Sequence, residues 1–376
     1  MQNLDGDVKD AFNLILIGNY KERVIGVCKY LDRHMEFTHL SFKTFTRDDA
    51  WGIYQLWSVN NRGIAIDYLE ITADEKGNSV LIDLVEYCHV WWIPSFKGVQ
   101  KVRIFTSMDL IDTKDGKKIL RQYDHTLVAE TFLYHQYPKL GEIAKKHVLP
   151  TIGSTMSTAG IWLYKHLNDK EVVPKLERPL LIDPENTIPR AIEVVFGSSP
   201  SRRYALVHSS FTPDASYYNT WMTVVGPEKI FGVLNCWAMM NSKIEMRIER
   251  VVPSGDRILV DAEQRFSPWF WPSAILSPLG WQHHVLMTTV DNPAGGKLIS
   301  KVENHIIWLE PFLKYNLGPF SWLYERSRPI VGKIYGAAGR SIYHFLEWWN
   351  SSEVAERVTQ HIPNGIVHQI DSLKNH

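Results

Sequence analysis

One carboxylate is set apart by its surroundings. Glu86 lies in the run Val80-Leu-Ile-Asp-Leu-Val-Glu-Tyr-Cys-His-Val90, where alternate residues Val80, Ile82, Leu84, Cys88 and Val90 are apolar. In a strand these residues share a face with Glu86. A carboxyl on an apolar face loses hydration, so its pKa rises and it can hold or release a proton near neutrality. The plainer alternative is a bulge that reverses the phase, or a lysine that pairs the carboxylate at the strand end. Asp124 and His125 are further proton-transfer candidates. As neighbours in a strand they point to opposite faces, so at most one of them faces an interior. Asp109, at a strand end, is a third candidate, with a turn role as its alternative.

These residues belong to an internal repeat. The Glu86 run returns as Ile258-Leu-Val-Asp-Ala-Glu-Gln-Arg-Phe266, and both runs continue into a Trp-rich corner closed by Pro-Ser. Gly52-Ile-Tyr-Gln-Leu-Trp57 is matched by Gly232-Val-Leu-Asn-Cys-Trp237, Asp109 by Asp291, and Asp124-His125 by Asn304-His305. The recurrence of Asp83 as Asp261 points to a shared structural job such as a cross-strand pair. Glu86 is replaced by Gln264 and Asp124 by Asn304, and amides cannot transfer protons as carboxyls do. Chemistry is therefore expected in the first half.

Each half reads as helices, one strand, a crossing helix, then four strands joined by hairpins. Asp74-Glu-Lys-Gly77 and Asp112-Thr-Lys-Asp-Gly116 are turn sequences. Thr46-Arg-Asp-Asp49 is a helix start, and the helix after it carries Tyr54 and Trp57. Helical sequence over 139–166 closes the first half and 322–348 the second. The domains expected are 1–170 and 187–349, with a Pro-containing linker at 171–186 and a polar tail at 350–376.

This plan describes an α+β chain of two tandem cone-shaped domains. Each is a curved antiparallel sheet wrapped around N-terminal helices, with an internal pocket. It resembles the nuclear transport factor 2-like and SnoaL-like superfamily, most of all its fungal SigF-like branch. The residues that carry the likeness are Phe37-Thr-His39, the Trp57 helix, Tyr87-Cys-His-Val-Trp-Trp-Ile-Pro94 and Arg121-Gln-Tyr-Asp-His125. In the second half they are Tyr217-Tyr-Asn219, Trp237, Arg265-Phe-Ser-Pro-Trp-Phe-Trp-Pro272 and Glu303-Asn-His305. The resemblance implies a pocket between helices and concave sheet, and it adds His39 to the proton-transfer candidates. It also implies pocket lining by Tyr54, Trp57, Trp91, Tyr218, Trp237, Asp291 and His305. The family spans enzymes and non-catalytic binders, so fold alone does not name the reaction. Because single copies commonly dimerise through the outer sheet, the two halves are expected to pack as a pseudo-dimer.

Composition narrows the classes. The 41 basic and 41 acidic residues balance, and no basic-aromatic stripe marks a nucleic-acid partner. The three cysteines, Cys28, Cys88 and Cys236, are too scattered for a zinc site or a disulfide framework, and read as buried free thiols. No metal or cofactor motif emerges, and no apolar run is long enough to span a bilayer. A cytoplasmic protein is expected. Membrane contact through the Trp-rich corners is disfavoured by the lack of a basic cluster beside them. The leading expectation is a cofactor-independent isomerase, dehydratase or cyclase acting on an apolar secondary-metabolite intermediate, a polyketide or terpenoid. The alternative is a non-catalytic binding or scaffolding protein.

Overall fold

The repeat folds into two six-stranded sheets of the same topology. The computed structural model describes residues 4–74, 76–90, 99–127, 131, 137–167, 184–270, 278–293, 295–316 and 319–351. The first copy runs α1 (Leu4–Phe12), a π-helical turn, α2 (Tyr20–Tyr30), β1 (Leu31–His39), β2 (Phe42–Thr44) and α3 (Arg47–Asn60). The strands β3 (Asn61–Ala73), β4 (Ser79–Val90), β5 (Gln100–Thr113) and β6 (Gly116–Thr126) follow, then α4 (Pro138–Ile143) and α5 (Leu149–Leu167). The second copy runs α6 (Pro184–Gly197), α7 (Pro200–Ser210), β7 (Phe211–Asn219), β8 (Met222–Val225) and α8 (Pro227–Met240). It ends with β9 (Asn241–Ser254), β10 (Arg257–Pro268), β11 (Leu279–Asp291), β12 (Lys297–Ile307), α9 (Leu309–Tyr315) and α10 (Pro319–Ser351).

The first sheet has the order β2-β1-β6-β5-β4-β3 and the second β8-β7-β12-β11-β10-β9. β1 runs parallel to β6, and β7 to β12; the other pairs are antiparallel. Local chemistry accounts for the element ends. Asn19 caps α2 in a reciprocal box with Glu22, and the Thr46 hydroxyl accepts from Asp49 N–H at the start of α3. The β3–β4 turn is held by the Asp74 carboxylate, which accepts from the Asn78 and Ser79 amides at 2.6 and 2.9 Å. Gly77 supplies the positive φ of 63° that this turn needs.

Apolar residues at helical spacing run on beyond α2, but the helix stops at Tyr30. Leu31 and Met35 are fully buried as residues of β1, so the apolar spacing continues across the boundary while the backbone changes. Cys28, expected inside, is exposed; Cys88 and Cys236 are buried. A buried arginine recurs in both copies. Arg23 Nη1 donates to Gln55 Oε1 on α3 at 2.5 Å, and Arg203 donates to Asn235 Oδ1 on α8. Burial lowers both guanidinium pKa values to about 10, still far above neutrality, so each tethers a helix to the crossing helix as a cation.

The chain forms two compact units that do not coincide with the sequence halves. One comprises Met1–Thr126 and Leu323–His376, the other Leu127–Trp322. Within the first unit, α10 crosses α3 where Gly336 and Gly339 meet Gly52 backbone to backbone. Arg340 pairs with Asp49 at 2.7 Å, and Tyr324 and Arg328 each donate at 2.6 Å to the carbonyls of Leu40 and His39. Within the second unit, α5 crosses α8 with Gly160 against Gly232. The repeated Gly52 and Gly232 thus mark the same crossing, where a Cβ would sit inside the van der Waals radius of a facing carbonyl. Gly52→Ala and Gly232→Ala should each destabilise the chain by about 1–3 kcal/mol. Gly63→Ala, where an added Cβ meets nothing within 4 Å, should stay within about 0.5 kcal/mol of the unaltered chain. Denaturant midpoints read the difference, and equal midpoints for all three would refute the close-crossing account.

Candidate functional site

Strand parity builds the site. On β4 the residues Val80, Ile82 and Leu84 join the core cluster with Phe12 and Tyr54, so the face they share with Glu86 is the inner one, as expected. Pairing extends this face: Glu86 lies opposite Val102 on β5, and Asp124 on β6 lies opposite Thr106. Glu86 and Asp124 are therefore two carboxyls on one buried face, 5 % exposed in the case of Glu86.

Their partners differ. Trp57 Nε1–H donates to Glu86 Oε1 at 2.6 Å. Asp124 Oδ1 accepts from Thr106 Oγ1 and from Gln122 Nε2, both at 2.9 Å, and Gln122 Oε1 accepts from the Tyr54 hydroxyl at 2.9 Å. Burial is the largest influence on both acids. It raises Glu86 to about 7, against the Trp57 hydrogen bond and with help from the negative charge of Asp124. It raises Asp124 to about 6, against its two donors. Each carboxyl thus exchanges its proton near neutrality, the range useful for general acid/base work. Neither carboxyl lines the small cavity on the helix side of this face. That cavity, about 10 Å³, is lined by Phe12, Leu16, Tyr54, Met108, Ile119 and Gln122 among others, and meets Asp124 only through Gln122. Its volume is room for about one water.

Other sequence candidates separate from this pair. His125 is buried on the outer face and stacks on Tyr123 at 6.4 Å, because it alternates with Asp124. Asp109 is also outside, in an ion pair with Arg121 at 3.6 Å. His39 ends β1 in register with Asp124, its ring stacked on Phe42 at 5.0 Å and its Nδ1 3.2 Å from the Ser41 hydroxyl. Tyr54 lines the small cavity, Trp57, 36% exposed, reaches Glu86 from α3, and Trp91 lies outside the described residues. The repeated aspartates have the cross-strand job foreseen: Asp83 takes the Arg103 guanidinium at 2.5 and 3.0 Å, and Asp261 takes His284.

The second copy holds a larger cavity, about 150 Å³, between α6, α7 and the inner faces of β10, β11 and β12. Tyr217, Gln264, His283 and Asn304 supply much of its polarity. The four residues expected to line a pocket here, Tyr218, Trp237, Asp291 and His305, do not line this cavity. Tyr218 and His305 lie on the outer face, in tilted ring contact at 6.0 Å, because their neighbours Tyr217 and Asn304 take the inner one. Asp291 is exposed at the end of β11, opposite Lys297. Trp237 lies in an aromatic cluster with Phe266 and Trp281, both at 5.0 Å. His283 is a cavity residue that the sequence reading does not single out, although its alternation with His284 is visible there. The parity that places His284 against Asp261 places His283 inward. Burial lowers its pKa to about 4, so it is neutral at pH 7.

Among the described residues, no three His, Cys, Asp or Glu side chains gather as a metal site, and no helix is long and apolar enough to cross a membrane.

The chain thus builds the same six-stranded, mostly antiparallel sheet twice in tandem, each packed against helices with polar groups on the helix-facing side. Residues 1–166 match the family model described as the SigF NTF2-like domain. No curated protein matches the chain. Among solved structures it is similar to a ketosteroid isomerase-like protein from Catenulispora acidiphila, crystallised with trimethylamine. The identity is 20%, over 31% of this chain and 84% of that one, with a TM-score of 0.26. A candidate SnoaL-like polyketide cyclase from Jannaschia is 16% identical over 35% and 91%, with a TM-score of 0.28. A candidate scytalone dehydratase from Novosphingobium aromaticivorans is 11% identical over 34% and 83%, with a TM-score of 0.29. Similarity this low carries no reaction over to this chain.

The Glu86 environment has a measurable signature. Its folded pKa of about 7 exceeds the ordinary 4.5, so the protonated carboxyl stabilises the fold at low pH, and this contribution is lost as pH rises from 4.5 through 7. Glu86→Gln keeps an acceptor for Trp57 and cannot ionise. Relative to the unaltered chain it should gain on the order of 3 kcal/mol between about pH 4.5 and pH 7 and level off above. Denaturation of both proteins across that range tests this; a pH-independent difference would mean that Glu86 titrates as a solvated carboxylate.

Proposed function

We propose that this protein is a cofactor-independent acid/base enzyme, an isomerase, dehydratase or cyclase, acting on an apolar small molecule, with its chemistry in the first copy. The observation that carries the reading is a pair of carboxyls on one sheet face, Glu86 buried and Asp124 half-buried, raised to about 7 and about 6. A carboxyl poised near neutrality takes a proton from an acidic carbon or gives one to a departing hydroxyl without a metal or an organic cofactor. Glu86 is the proton-transfer group in this reading. Trp57 orients it, and the Tyr54–Gln122 link holds Asp124 in place. His39, in register with Asp124, is the further group on this face that could shuttle a proton. A secondary-metabolite intermediate, polyketide or terpenoid, is the substrate class of this reading and needs more room than the cavity of about 10 Å³ offers in this structure, and the reducing interior of the cell fits three unpaired cysteines.

A second reading, non-catalytic binding, is favoured by the second copy. There the positions of Glu86, Asp124 and His39 are taken by Gln264, Asn304 and Asn219, none of which transfers a proton at neutral pH. Mass spectrometry of molecules that co-purify with the native chain, followed by incubation with the source's metabolite extract, separates the two. An enzyme converts a co-purified or extracted metabolite, and Glu86→Gln should lower kcat about 10²–10⁴-fold with KM little changed. A bound metabolite returned unchanged by both proteins would favour the binding reading.

A further inference from the structure

The cavity of the second copy has the chemistry of a binding site. Its apolar walls come from α6 (Ile188, Ala191, Val195), from α8 (Leu234) and from the inner sheet face (Val260, Val285). Its lining contains no aspartate, glutamate, lysine or arginine. Two buried polar atoms in this wall lack a hydrogen-bond partner among the described residues: Gln264 Oε1 and His283 Nε2, on side chains 1% and 6% exposed. A third is the hydroxyl of Ser210, which can donate or accept. Buried polar atoms left unpaired are costly, so such atoms facing one cavity imply a ligand that pairs with them.

A hydrogen-bonded chain sets the role of His283. The backbone amides of Trp221 and Met222 donate to Asn219 Oδ1, both at 2.9 Å, which turns Asn219 Nδ2 to the Tyr217 hydroxyl. Asn304 Nδ2 donates to the same hydroxyl at 3.4 Å, and Asn304 Oδ1 faces His283 Nδ1 at 2.9 Å. Nδ1 therefore carries the proton, and Nε2 offers a lone pair to the cavity. Gln264 Oε1 is also an acceptor. Both sit on the same face, since Ala262 pairs with His283 across the β10–β11 ladder and Gln264 with Trp281.

We propose that the second copy binds a compact, uncharged, apolar molecule bearing a hydroxyl, a phenol or cyclic alcohol of about one ring. Its O–H donates to His283 Nε2 or Gln264 Oε1, and its ring fills the space under α6. Size sets the ring count, because a dry cavity of about 150 Å³ accommodates a benzene ring. Charge sets the neutrality, because an ionised ligand would be buried without a counter-ion. A surface groove between α6 and β9 shares Ile192, Phe196 and Met246 with the cavity wall, so displacement of these three side chains would open the cavity to the groove.

Calorimetry with the full chain at neutral pH, using p-cresol, toluene and 4-methylbenzoate as probes, tests the site. The proposal expects p-cresol to bind about tenfold more tightly than toluene, the worth of one hydrogen bond to a buried acceptor, and 4-methylbenzoate not to bind. Equal affinity for p-cresol and toluene would overturn the hydroxyl recognition, and no binding of p-cresol would overturn the site. Ala191→Phe, which fills the cavity from the α6 side, should abolish p-cresol binding while circular dichroism shows the chain folded. Undiminished binding by that folded variant would place the ligand elsewhere and refute the assignment. Should the variant fail to fold, the comparison of probes on the unaltered chain decides.

Discussion

The two-residue repeat of a pleated strand is the constraint on which both sites depend. A slip of one residue in β4 or β10 would carry Glu86 or Gln264 to the outer face and bring a charged residue inward. The outer faces resist that slip. Asp83 is engaged by the Arg103 guanidinium and Asp261 by the His284 imidazole, so each copy ties β4 or β10 to the next strand through its aspartate on the side away from the helices. In the second copy the pair is fully buried, and moving either partner alone would leave an uncompensated polar group. The repeated aspartate is a registration device for the strand that carries the inner-face polar residue three positions further on.

On this shared frame the copies have diverged in charge and volume together. The first keeps Tyr54 and Leu84 on its inner surface, and little space remains beside them. At the matching positions the second has Leu234 and Ala262, both in the cavity wall. Removing a phenol ring and an isobutyl group opens space that neighbours on a rigid sheet do not refill. Carboxyls become amides over the same positions. Poised acids thus accompany a filled interior, and neutral donors and acceptors an open one. That division is what separates a proton-transfer reading of the first copy from a binding reading of the second.

The closing helices reach their positions through glycine. Gly52 and Gly232 sit mid-helix, where glycine is otherwise unfavourable by roughly 1 kcal/mol against alanine. Each admits another helix to backbone contact: α10 on α3 in one unit, α5 on α8 in the other. In the first unit the same helix grips the β1–β2 turn through Tyr324 and Arg328, next to His39. The rim of the first site is therefore held by residues about 290 positions away in the chain.

What the sequence by itself determined was local and periodic. The repeat, the α+β order, the hairpin turns, the inner placement of Glu86 and the pairing of the repeated aspartates are all legible, because strand parity, caps and turns act over a few residues. Parity also contained more than was taken from it: with β10 phased, His283 faces inward, and with Asn304 inward, His305 cannot line a pocket. Tertiary structure alone decided the rest. Cavity volume depends on how Leu234, Ala262 and Val302 from three separate elements meet, and no single segment records that sum. Which closing helix belongs to which compact unit is likewise a choice among distant surfaces. It is settled by backbone contact at a glycine and not by any local preference of the helix that makes it.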